Sequence, residues 1–119
     1  MIFAFLCGGA AVLCAALFAL FLIAPGAYMR LYGVTADASA IFIGRRASPL
    51  FLGLAVFFWL MRDAGPGPLQ EGTALAAAAT FAGIAATGIW SYAAGSASFA
   101  ILVAAGLELA IAAAFVLAP

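Results

Sequence analysis

The sequence contains no histidine and no lysine. Without histidine there is no bis-histidine haem ligation, no usual zinc site and no side chain of the kind that most often moves protons near neutral pH. Without lysine, a retinal or pyridoxal Schiff base has no attachment point and a Walker-type loop has no cation for phosphates. Charge of either sign is scarce: four arginines balance four carboxylates, and only 7% of residues are charged. No basic face exists to neutralise a run of phosphates, which excludes nucleic acid as a partner. No nucleophile and base can be assembled from the remaining residues, so an enzyme is the least supported class, and no catalytic residue, metal site or cofactor is expected.

What the chain does have is apolar length. Of its 119 residues 70% are hydrophobic, and the mean hydropathy is +1.32. Soluble domains carry about 25% charged residues, far more than this chain could place on a surface. One helical crossing of a bilayer takes about 20 apolar residues, so the length accommodates four crossings and no extramembrane domain. The expected fold is all-α, a single integral membrane four-helix bundle whose surroundings are a lipid bilayer. Span one, residues 2–24, lacks a basic segment before it and exceeds the apolar run of a signal peptide, so it is read as retained; Pro25-Gly26 stops it. Span two, 40–61, can be capped by Asp37 or Ser39. The stretch Asp63-Ala64-Gly65-Pro66-Gly67-Pro68 is the clearest turn; span three, 72–93, follows it, with Pro68 as its opening residue and Glu71 in the first turn. Ser98 can cap span four, 99–117.

Cys7 and Cys14 share a helix face but lie about 10.5 Å apart along the axis, too far for a disulfide within the chain. They read as small buried side chains, the alternatives being thiol chemistry or a bridge between protomers. Small residues recur four apart at Gly44 and Ser48, Ala79 and Gly83, and Gly106 and Ala110, a pattern that lets helix backbones approach closely in lipid. Thr80, Thr87 and Ser91 form a polar stripe on span three. Hydroxyls bonded to their own helix or a neighbour are the favoured reading, a narrow polar path the sharper one. Tyr28, Tyr32, Trp59, Trp90 and Tyr92 stand near span ends and read as interfacial anchors, with Tyr28, Arg30 and Tyr32 in an amphipathic turn at headgroup level.

The charges inside the spans carry the mechanistic information. Glu108 falls midway along span four, where an ionised carboxylate costs roughly 2.5 to 3.5 kcal/mol unless it finds a partner or a proton. Arg45 and Arg46 lie early in span two, which starts from the same side. Adjacent helical residues project about 100° apart, so one arginine is expected to face the bundle and the other the headgroups. Gly44, Ser48 and Ala55 mark the packing face of span two, which assigns Arg45 inward to Glu108 and Arg46 outward to snorkel. Pro49 removes the helical donor for the Arg45 carbonyl and is expected to bend the span. An Arg45–Glu108 pair would either fix the register of two helices or form a proton- or ion-coupled site. Arg30, Arg45 and Arg46 against Arg62 put both termini outside the cytoplasm by the positive-inside rule.

The stretch Gly-Arg-Arg-Ala-Ser-Pro-Leu-Phe-Leu-Gly-Leu at 44–54, with Trp59-Leu60-Met61-Arg62-Asp63 and Leu107-Glu108-Leu109, resembles a group of small four-span proteobacterial membrane proteins of unknown function. The resemblance implies the four-span architecture and a bacterial inner-membrane location. Small multidrug exporters have a similar length, but span one here carries no acidic residue; the fluoride channels use an intramembrane asparagine, and this chain has none. Two function classes follow. The first is a structural or accessory membrane component, a homo-oligomer or a subunit of a larger complex, acting through helix and lipid contacts. The second is a small transporter or channel built on Arg45, Arg46 and Glu108.

Overall fold

A computed structural model describes residues 2–118. These form five helices: α1 (Ile2–Ile23), α2 (Pro25–Leu31), α3 (Ala38–Met61), α4 (Pro68–Ala93) and α5 (Ala100–Leu117). All except α2 are long and apolar enough to cross a membrane, and the chain is a small all-α membrane protein. Its longest dimension, 44 Å, matches a bilayer with its headgroup layers included.

Local chemistry sets each boundary. Pro25 has no N–H to continue the ladder of α1, yet its fixed φ suits the first position of α2, so one residue ends a helix and opens the next. Asp37 caps α3, its carboxylate accepting from the Ala40 N–H at 2.8 Å, and Ser39 lies inside the helix, which begins two residues before the expected start of the span. At the far end Arg62 folds back to donate to the Trp59 carbonyl, with its guanidinium carbon 3.8 Å from the centre of the Trp59 ring and a nitrogen 3.9 Å from the Asp63 carboxylate. Helix α4 starts at Pro68, four residues before the expected span, because Glu71 N–H already bonds the Gly67 carbonyl at 3.0 Å.

Ser98 does not cap α5 with its hydroxyl. Phe99 stands at the cap with helical φ and ψ, and Ser98 instead donates its backbone N–H to the Tyr32 carbonyl at 2.7 Å. Gly33, at φ +70°, lies so close that a Cβ there would stand 3.1 Å from the Ser98 Cβ. These contacts tie the connection after α2 to the connection before α5 and place both at one end of the bundle, opposite the chain termini.

The helices pack as two antiparallel pairs, α1 along α3 and α4 along α5, with α2 as an elbow against α1 and α3; α1 also touches α5. One phenylalanine from each long helix meets near the terminal end. The Phe58 and Phe115 rings lie 5.9 Å apart, Phe81 and Phe115 6.5 Å, Phe58 and Phe81 6.4 Å, and Phe3 meets Phe115 edge-on at 6.3 Å. Such offset and edge-on arrangements suit the ring quadrupoles. Cys7 and Cys14 are free thiols in this core.

Only one of the three small-residue pairs is spent inside the bundle. Gly44 and Ser48 are buried with Ala55, and Gly44 faces Pro25, Phe21 and Met29. Ala79, Gly83, Gly106 and Ala110 point outward, contrary to the expectation that they bring this chain's own helices together. The inner faces use other small residues, Ala77, Ala85 and Gly88 on α4 and Ala105 and Ala112 on α5. These flank the rings of Phe81 and Phe115, which need low neighbours to reach the bundle axis.

Candidate functional site

Glu108 shares the inner face of α5 with Ala105, Ala112 and Phe115. It lines a cavity of about 110 Å³ between the helices, enough for several waters or one small solute. Ala104 leaves the space. Around it stand Cys14 of α1, Phe51 of α3, Thr80 and Phe81 of α4, and two side chains from the elbow, Tyr28 and Tyr32. Phe81 belongs at once to the cavity wall and to the phenylalanine cluster, so the cluster forms the floor.

The roof is aromatic. Tyr28 packs on Phe21 with centroids 4.6 Å apart, Phe21 stacks on Phe51 at 5.1 Å, and Tyr32 meets Tyr28 edge-on at 5.0 Å. Beyond it lies an outer vestibule of about 260 Å³, whose wall again includes Tyr28 and Tyr32, together with Ser91 and Ser96. The two tyrosines therefore partition one chamber from the other. Burial first, and then the neighbouring Tyr32 and Glu108, push the Tyr28 phenol above its ordinary range. Helix α2 carries Tyr28, with Tyr32 immediately after it, over the cavity at the elbow end of the bundle. Trp59, Trp90 and Tyr92 are exposed near helix ends, where rings of this kind meet the bilayer interface.

The expected pair of Arg45 with Glu108 is not formed. Helix α3 packs mainly along α1 and α5 along α4, and α3 meets α5 through Phe58 and Phe115 near the terminal end, away from Arg45. Arg45 is exposed, and its Nε donates to the Leu22 carbonyl at 3.3 Å. That carbonyl belongs to the last turn of α1, where the break at Pro25 leaves it without a helical donor, and a cation there also complements the helix dipole. Arg46 is exposed on α3. Among the described residues the one ion pair within 4.0 Å is Arg62 with Asp63, and Glu108 has neither an ion-pair nor a hydrogen-bond partner.

The stripe on α4 bonds to its own helix. Thr80 donates to the Ala76 carbonyl at 2.9 Å, Thr87 to Ile84 at 2.8 Å and Ser91 to Thr87 at 2.9 Å. Their spare lone pairs remain available, and the stripe divides between the chambers: Thr80 lines the inner cavity and Ser91 the vestibule, while Thr87 is exposed.

Phe51, Phe81 and Cys14 were not among the site residues singled out from the sequence. Phe81 does carry a legible signal, since alanines four residues to either side leave one large ring on a face of small residues. Comparison with protein-family models, with curated proteins and with solved structures finds no match for this chain.

Proposed function

We propose that this protein is a structural or accessory membrane component that acts through helix contacts, and that its working surface is the outer face of α4, against which a second copy of the chain packs. The observation that carries this is a seam. Gly72, Ala76, Ala79, Gly83 and Ala86 recur at alternating steps of four and three along α4, and every one is exposed. A Cβ added at Gly72 or Gly83 would meet nothing within 4 Å. In lipid, helices associate by van der Waals packing, and a continuous low surface lets two backbones come close over their whole length. An average step of 3.5 residues suits a left-handed crossing, and a seam of one kind is complementary to itself across a two-fold axis.

The same reading takes the chain as a member of the small four-span proteobacterial group it resembles, set in the bacterial inner membrane. Arg30, Arg45 and Arg46 gather toward the elbow end and Arg62 stands at the other, which favours a cytoplasmic elbow and both termini outside. The phenylalanine floor favours this role over an open channel, because rings from four helices fill the axis between the cavity and the terminal end.

Association in liposomes, followed by energy transfer between labelled copies, tests the proposal. Gly83→Leu is expected to abolish transfer, and Gly106→Leu, at an equally open site on the outer face of α5, to preserve it. Equal association of Gly83→Leu and the parent would overturn it.

A further inference from the structure

We propose that the Glu108 cavity is a binding site for a small monovalent organic cation, of the methylated-ammonium class, that enters from the vestibule past Tyr28 and Tyr32. Three observations converge on that chemistry. Glu108 brings a carboxylate to mid-span, and among the described residues it has no ion-pair or hydrogen-bond partner, so a positive guest would supply what its surroundings lack. The wall offers aromatic rings, Tyr28, Tyr32, Phe51 and Phe81, whose faces attract cations and disfavour anions. Apart from the Thr80 hydroxyl, already bonded to its own helix, the rest of the lining is apolar, which suits a cation clothed in methyl groups. A metal ion such as calcium takes six to eight oxygen ligands, and this wall has too few.

Size narrows the guest further. Pockets for drug-sized molecules run to about 300–1,000 Å³. At about 110 Å³ the inner cavity admits a cation of a few heavy atoms and rejects bulky lipophilic ones. The larger vestibule, with Ser91 and Ser96 in its wall, gives the guest a polar antechamber in which to shed water. Stepping inward, it exchanges that water for ring faces and one carboxylate. The phenylalanine floor ends the path, so the site retains its guest and does not conduct it.

Titration calorimetry on the purified full-length protein in detergent, with tetramethylammonium chloride as the probe against a constant sodium chloride background, tests this. Saturable binding at one site per chain is expected, without competition from tetraphenylphosphonium. Glu108→Gln is expected to weaken it by more than about tenfold, as loss of a charged partner would. Tyr32→Leu is expected to weaken it by about tenfold, whereas Tyr32→Phe, which keeps the ring and loses the hydroxyl, stays close to the parent. The tyrosine variants keep the question decidable if Glu108→Gln does not fold. Absence of saturable binding at millimolar probe, parental affinity in a folded Glu108→Gln, or parental affinity in Tyr32→Leu would each overturn the proposal.

Discussion

Ser48 and Pro49 solve one problem between them. Proline at 49 has no N–H, so the Arg45 carbonyl four residues back has no helical donor; the Ser48 hydroxyl donates to that carbonyl at 2.7 Å. Ser48 is fully buried, so no water or lipid headgroup can take its place. Ser48→Ala is therefore expected to cost about 1–3 kcal/mol, the usual penalty for an orphaned buried acceptor, measured by unfolding in mixed micelles. With Ala at 49 the backbone N–H returns, and the same serine substitution is expected to cost much less; equal costs in both backgrounds would refute the pairing. Arg45 is used in a similar way, its Nε supplying the Leu22 carbonyl at the break in α1. Two polar residues that read as mechanistic or incidental in the sequence thus serve backbone carbonyls without helical donors, one opposite Pro49 and one in the last turn of α1.

Among the elements, α2 decides the most while being the shortest. Seven residues between Pro25 and Leu31 turn the chain inward and carry Tyr28 over the cavity, with Tyr32 immediately after. The elbow seats on α3 at Gly44, where an added Cβ would stand 3.3 Å from the Pro25 Cβ. A proline ring at a helix start has little freedom to give way. Gly44→Ala is expected to destabilise the protein by about 1–3 kcal/mol, as overpacking does, whereas Gly53→Ala on the same helix, where nothing lies within 4 Å, is expected to be neutral or mildly stabilising. Thermal unfolding in detergent followed by circular dichroism separates the two. Matching behaviour would show that the elbow does not rest on Gly44.

At the scale of the molecule, the two helix pairs share one core, in which a phenylalanine from each long helix meets near the terminal end. Phe58 and Phe115 are each 1% exposed, and their rings bridge α3 and α5, one helix from each pair. Phe115→Ala is expected to cost about 3–5 kcal/mol and, by opening the cavity floor, to increase solvent access to Cys14, read as faster thiol labelling. A stable variant with unchanged labelling would mean that the floor does not depend on this ring. Composition and length were sufficient for the four crossings, because any segment of about 20 apolar residues has to close its hydrogen bonds within itself in lipid. Local signals at Pro25, Asp37 and Pro68 were legible for the same reason: each acts within one or two turns of its own helix. The partners of Glu108 and Arg45 were not, because spans apolar on every side carry no periodicity that says which face turns inward or which helix lies beside which. Only tertiary packing decided that α1 stands with α3 and α4 with α5, and so left the one deep carboxylate facing a tyrosine-roofed cavity instead of an arginine.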